Sequence, residues 1–114
     1  LISTASLAAV SGQARGEHYA ATKGGLIAMN KALAVEYARH NVTAHTILPG
    51  WIETYMTEPS FSSDKFVSNV MPRIPMRRWG QPEDFAGIAV YIMSSASSYH
   101  TSETFLIDGG YANF

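Results

Sequence analysis

Two short apolar runs, each closed by a strong chain breaker, most constrain what this sequence can fold into. Residues 42–48 are rich in β-branched and apolar side chains and end at Pro49-Gly50. Thr104–Ile107 ends at Asp108-Gly109-Gly110. Both read as buried strands, because continuous apolar runs bounded by Gly and Pro fit a sheet covered on both faces. Residues 1–6 read as a further strand and 7–15, mostly small residues, as a loop. Residues 17–40 contain no proline, and Leu26, Ile27, Asn30, Leu33, Ala34 and Tyr37 recur at spacings of three and four, which predicts a helix. Ala20, Gly24, Ala28 and Ala32 form an adjoining stripe of small residues where another backbone can approach.

Residues 51–81 form a proline-containing excursion with a short helix expected over 62–71. Pro82, Glu83 and Asp84 then suit a helix start, since proline needs no partner there and acids complement the dipole. The stripe Phe85, Ile88, Ala89, Ile92, Met93 follows. The order strand, helix, strand, excursion, helix, strand predicts an α/β fold with a parallel sheet and right-handed crossovers. Three strands are few for such a sheet, and the chain starts on the apolar Leu1-Ile2. The expectation is that residues 1–114 are the C-terminal portion of a single larger domain.

Composition removes several function classes. Eight Lys+Arg against nine Asp+Glu give a net charge of −1, not the basic stripe that nucleic acid requires. The absence of cysteine removes thiol nucleophiles, thiolate metal sites and disulfides. His18, His40, His45 and His100 have no metal-ligand spacing, so no metal is expected. No stretch has the roughly twenty apolar residues of a membrane span, and no membrane partner is expected. A soluble, cytoplasmic protein is compatible with these features.

Tyr19 and Lys23 stand four apart at the start of the long helix and so share a side. A phenol titrates near 10 in water and is a poor catalyst at neutral pH. A neighbouring ammonium and the positive end of a helix both favour its anion, which makes the pair a candidate proton-transfer group. Taken alone, it is equally an ordinary surface pair. Ser6 ends the first strand, and α/β sheets gather ligands at the carboxyl ends of their strands.

The set Ser6, Tyr19-Ala20-Ala21-Thr22-Lys23-Gly24-Gly25, Pro49-Gly50-Trp51-Ile52-Glu53-Thr54, Arg78-Trp79-Gly80-Gln81-Pro82-Glu83-Asp84 and Asp108-Gly109-Gly110 resembles the short-chain dehydrogenase/reductase family in order and spacing. The resemblance covers essentially the whole chain, but only the second half of a usual member. It implies a Rossmann-like, doubly wound parallel sheet, of which this would be the C-terminal half. It also implies an NAD(P)-dependent oxidoreductase acting on a secondary alcohol or ketone, with NAD or NADP as cofactor. By position, Tyr19 would be the general acid or base, Lys23 would lower its pKa and hold the nicotinamide ribose, and Ser6 would hydrogen-bond the substrate oxygen. Pro49, Gly50, Ile52 and Thr54 would complete the cofactor site, while His18 and Trp51 would border the substrate. Homodimers or homotetramers are implied, through the small-residue helix face or the last helix and strand.

Two departures stand out. The family commonly has Asn where His45 stands, read here as a core histidine, and Gly where Ser102 stands. No Gly-rich turn between a strand and a helix is present to hold a pyrophosphate. This leaves an alternative reading in which the 114 residues are a non-enzymatic fragment or interaction module.

Overall fold

The computed structural model describes residues 1–114. Three strands, β1 (Ile2–Thr4), β2 (His45–Pro49) and β3 (Thr104–Ile107), form one parallel sheet in the order β1-β2-β3. Thr4 stands opposite Ile47, and Pro49 opposite Ile107. All three carboxyl ends therefore lie along one edge. β2 is the central strand, buried from His45 to Leu48. Leu48, Ile47, Ala34, Ile74 and Ile92 make the core, each large aliphatic contributing about 1.5–3 kcal/mol through burial.

The helices are α1 (Ala8–Ser11), α2 (Glu17–Tyr37), α3 (Glu58–Phe61), α4 (Asp64–Val70) and α5 (Ala86–Met93). α2 follows the expected 17–40 stretch, with its last residues, Ala38–His40, tightened into a 3₁₀ turn. Asn41 at φ +61° then stops it. The predicted apolar face holds at Asn30 and Ala34, which are buried, whereas Tyr37 is exposed. Of the small-residue stripe, Gly24 meets α1, where a Cβ would lie 3.6 Å from the Ala9 carbonyl oxygen. Ala28 and Ala32 face outward.

Three expectations need correction. Residues 7–15 are not all loop. Ser6 accepts the Ala8 N–H on its Oγ at 3.2 Å and the Ala9 N–H on its carbonyl at 3.0 Å, and this starts α1. The first strand is Ile2–Thr4 rather than residues 1–6, so Ser6 lies two residues past its end, and the second strand begins at His45, not at residue 42. A short helix α3 precedes the one expected over 62–71; its four residues are too few to show a period, and Pro59 is tolerated in a first helical turn.

Handedness also differs from expectation. Adjacent strand residues point to opposite faces. Thr46 meets Asn30 of α2, while His45 meets His100, whose Nδ1 pairs with the Tyr91 hydroxyl of α5 at 3.0 Å. The two crossover helices therefore lie on opposite faces, although both crossovers step in the same direction across the sheet. They take opposite hands, and only one is right-handed. The long excursion over 51–81 gives the chain room to change faces. No helix is long and apolar enough to cross a membrane.

Candidate active site

The carboxyl edge of the sheet collects the chemistry-bearing residues. Past the end of β1 the chain stays beside β2: the Ala5 N–H donates to the Ile47 carbonyl at 2.8 Å and the Leu7 N–H to the Pro49 carbonyl at 3.2 Å. Ser6 lies between these contacts, alongside the end of β2. Its Oγ accepts the Ala8 N–H, and its own O–H donates to no protein acceptor. A hydroxyl so held is oriented by the backbone and keeps its proton for an incoming oxygen.

Tyr19 occupies the first turn of α2 and is 36% exposed. Lys23, one turn later, places its ammonium 5.7 Å from the centre of the Tyr19 ring and donates to the Thr4 carbonyl at 2.9 Å. That bond ties the start of α2 to the carboxyl end of β1, where Ser6 follows. Two of the three ammonium protons remain for other acceptors. His18 precedes Tyr19 and is exposed.

Pro49 and Gly50 close β2. The Gly50 N–H donates to the Ile107 carbonyl at 2.9 Å, and a Cβ at Gly50 would lie 2.6 Å from the Asp108 Cβ. The turn therefore passes tightly over the end of β3. Ile52 pairs with Gly80 in a parallel bridge. Around it, the Gly80 N–H donates to the Trp51 carbonyl at 2.9 Å and the Glu53 N–H to the Gly80 carbonyl at 2.8 Å, which clasps the neck of the excursion. Thr54 is exposed, and its N–H donates to the Thr57 hydroxyl at 2.9 Å.

Trp51 is half-buried and packs edge-on against Phe66 at 4.9 Å and Tyr111 at 6.4 Å. Phe61 and Trp79 stack at 4.1 Å. These rings hold the excursion down, since aromatic pairs add about 0.5–1.5 kcal/mol beyond area burial. Trp51 and Ile52 also border a cavity of about 190 Å³ with Ile74, Met76 and Arg78. Ser6, Tyr19 and Lys23 do not line it.

The motif from Arg78 to Asp84 is a brace for this region. Arg78 donates to both carboxylate oxygens of Asp84 at 2.7 and 2.8 Å, and the Gln81 N–H adds a third bond at 2.8 Å. The Arg78 guanidinium, helped by that N–H, holds the Asp84 carboxyl down at about 2. The Gln81 amide also donates to Glu53. Asp108 accepts the Gly110 and Ala112 N–H groups at 2.8 and 2.7 Å, so the Asp-Gly-Gly end of β3 caps the closing turn. Ser102 stands at φ +66°, in the left-handed region that favours glycine.

One polar group escaped notice as a candidate. Asn30, in the middle of the buried face of α2, is bonded to both β1 and β2. The signal was available, because a polar side chain at a core position requires partners.

Residues 1–112 match a family model described as Enoyl-(Acyl carrier protein) reductase. The chain is 42% identical over 110 residues to the 3-oxoacyl-[acyl-carrier-protein] reductase FabG of Chlamydia pneumoniae, covering 96% of this chain and 44% of that protein. It is 34% identical over 111 residues to the 2-dehydro-3-deoxy-D-gluconate 5-dehydrogenase of Escherichia coli K12, covering 97% and 44%. The chain thus spans less than half the length of these curated relatives. Among solved structures, a gluconate 5-dehydrogenase from Burkholderia cenocepacia in complex with NADP and tartrate superposes with a TM-score of 0.94 at 28% identity, covering 99% of this chain and 44% of that one. A short-chain dehydrogenase/reductase of the glucose/ribitol type from Brucella melitensis gives 0.88 at 34% identity, covering 96% and 44%.

Proposed function

Because this chain belongs to the short-chain dehydrogenase/reductase family, we propose that the full-length protein is an NAD(P)-dependent oxidoreductase interconverting a secondary alcohol and a ketone. The reading is supported by the bond from Lys23, one turn along from Tyr19, to the Thr4 carbonyl at the end of β1, two residues before Ser6 and beside the strand that ends at Pro49-Gly50. A free hydroxyl, a phenol and an ammonium with unused protons fit a ketone oxygen and the hydroxyls of a nicotinamide ribose. NAD or NADP, when bound, supplies or accepts the hydride at the substrate carbon.

In the reductive direction Ser6 donates a hydrogen bond to the carbonyl oxygen and stabilises the charge that develops there. Tyr19 delivers its phenolic proton to that oxygen, giving the alcohol. Lys23 stabilises the phenolate left behind and binds the ribose. In the oxidative direction the phenolate of Tyr19 takes the proton back. Pro49, Gly50, Ile52 and Thr54 hold the nicotinamide amide, and His18 and Trp51 border the substrate. Nothing among these 114 residues would hold the pyrophosphate, because no glycine-rich turn joins a strand to a helix.

Nicotinamide absorbance of the full-length protein, with keto-gluconates and 3-oxoacyl thioesters as the ketone panel, tests the reading. Tyr19→Phe lowers kcat by about 10²–10⁴-fold if the phenol is the proton donor. Unchanged turnover refutes the assignment. The lack of a pyrophosphate turn favours a second reading for the 114 residues on their own, a non-enzymatic module. Calorimetric titration with NADPH decides it, because a Kd below about 10 μM, near −7 kcal/mol, is incompatible with that reading.

Assembly as a homodimer or homotetramer belongs to the same proposal. The exposed Met29 and Val35 of α2, and Val90 and Met93 of α5, provide apolar surfaces for it. Light scattering that gives a monomer at micromolar concentration refutes this part.

A further inference from the structure

Asn30 is 2% exposed and lies in the middle of α2. It follows Tyr19 by eleven residues and Lys23 by seven, close to three and two whole helical turns, so all three share one face. Its amide is engaged at both ends. The Oδ1 atom accepts the Ser3 hydroxyl at 3.1 Å, and the Nδ2 group donates to the His45 carbonyl at 2.6 Å and the Thr46 hydroxyl at 3.1 Å. One side chain thus joins α2 to β1 and to β2.

Apolar burial is a non-directional driving force that brings a helix onto a sheet, and close packing narrows its tilt only to within about 15–20°. Hydrogen bonds have narrow distance and angle requirements and fix it more closely. The other polar tie is the bond from Lys23 to the Thr4 carbonyl. Both ties end on β1, the strand that runs on to Ser6. The separation of Asn30 from Tyr19 along the axis is about 16 Å, so a tilt of only ~4° about Asn30 moves the phenol by about 1 Å. A misplacement of that size can cost about 10²-fold in rate.

We propose that Asn30 is a positioning residue, which through Ser3, His45 and Thr46 fixes the tilt of α2 against β1 and β2 and so holds Tyr19 in register with Ser6. This inference rests on the proposed roles of Tyr19 and Ser6. It adds that the register is set three helical turns from the reacting atoms, by a residue that touches neither substrate nor cofactor.

The test uses the full-length protein and the panel ketone with the highest kcat/KM. Asn30→Leu keeps the branched shape and heavy-atom count and removes the amide. The expected result is a fall in kcat of about 10–100-fold, with KM for NADPH within about threefold. Ile92→Ala, in the core of α5, controls for lost stability and keeps kcat within about twofold at temperatures where both variants are folded. Ser3→Ala and Thr46→Val each cut one tie with little change in volume. They lower kcat by smaller factors and keep the proposal testable if Asn30→Leu fails to fold.

The proposal is overturned if Asn30→Leu, or both single-tie variants, retain kcat, or if Ile92→Ala loses as much. Tyr19→Phe, measured in parallel, separates the two failures. Abolished turnover in Tyr19→Phe with full turnover in the Asn30 series sinks only the positioning role. Full turnover in Tyr19→Phe sinks the functional reading and the positioning role with it.

Discussion

His45 is fully buried at the start of the central strand, and neither ring nitrogen has a hydrogen-bond partner. A buried polar atom left unpaired costs about 1–3 kcal/mol, so the two nitrogens together cost roughly 2–6. The ring recovers part of this by packing edge-on against His100 at 5.3 Å and tilted against Phe105 at 5.6 Å, contacts worth about 1–3 kcal/mol together. Taking the middle of each range, His45→Leu should stabilise the fold by about 2 kcal/mol at pH 8. Acid widens the gap. Burial, followed by the charge of the neighbouring His100, lowers the His45 pKa below its ordinary 6.5; the Leu1 amino group acts in the same direction, while the His100 backbone, too far for a well-formed hydrogen bond, and Glu103 oppose it.

The unfolded chain therefore takes up a proton below pH 6.5 that the folded chain refuses. The native stability present above pH 6.5 falls as the pH drops from there towards the folded pKa, by up to about 1.4 kcal/mol per unit. At pH 5.5 the wild type should have lost up to about 1.4 kcal/mol relative to pH 8 through this residue, and His45→Leu should not. Urea denaturation of both proteins at the two pH values measures it, with the titration of other groups common to both. A variant less stable at pH 8, or an advantage equal at both pH values, refutes the reasoning.

Other perturbations have equally definite signs. Gly50→Ala drives a Cβ to 2.7 Å from the Asp108 Cα, against backbone that cannot step aside, and should cost about 1–3 kcal/mol. Gly87→Ala, in α5 with nothing within 4 Å of the new methyl, should instead gain about 0.5–1 kcal/mol. Thermal melts of the two variants test the contrast, and a shift of the same sign in both defeats it. Ser102→Gly relieves a left-handed serine and should raise stability by roughly 1 kcal/mol, read as an increase in Tm. The Asp84 carboxyl, held at about 2 by Arg78, contributes stability above its ordinary 3.8 that is lost as the pH falls from there towards about 2. Asp84→Asn should flatten the acid limb of the stability profile in that window.

The strands and long helices were legible because their signals are local. The β-branched run of β2 stops at Pro49-Gly50, β3 stops at Asp108-Gly109-Gly110, and α2 carries its buried face on a regular spacing. The candidate site was legible for the same reason: Tyr19 and Lys23 need only a helix to be neighbours, and Ser6 needs only a strand end. Most of the missed features depend on contacts between distant segments: the face-switching crossover needs the whole excursion, and the Asn30 ties join residues 27, 15 and 16 positions apart. Helix α1 is the exception, since Ser6 starts it from two residues away. Trp51 is placed by the sequence just past the Pro49-Gly50 breaker, but its packing on Phe66 and Tyr111 required the excursion to fold back first.

The clasp between Ile52 and Gly80 has a further consequence for how such a chain can vary over generations. Its two backbone bonds bring the ends of the excursion together whatever lies between them. The entropy of closing a loop grows only with the logarithm of its length, so doubling the stretch adds about 0.6 kcal/mol. Residues 53–79 behave as a cassette. Insertions in its exposed turns, away from the buried Val70 and Ile74 and the packed rings of Phe61, Phe66 and Trp79, leave β1, β2 and α2 in place, and with them the proposed proton-transfer group. A protein built this way can change the length and surface of its excursion without having to solve the geometry of the sheet edge again.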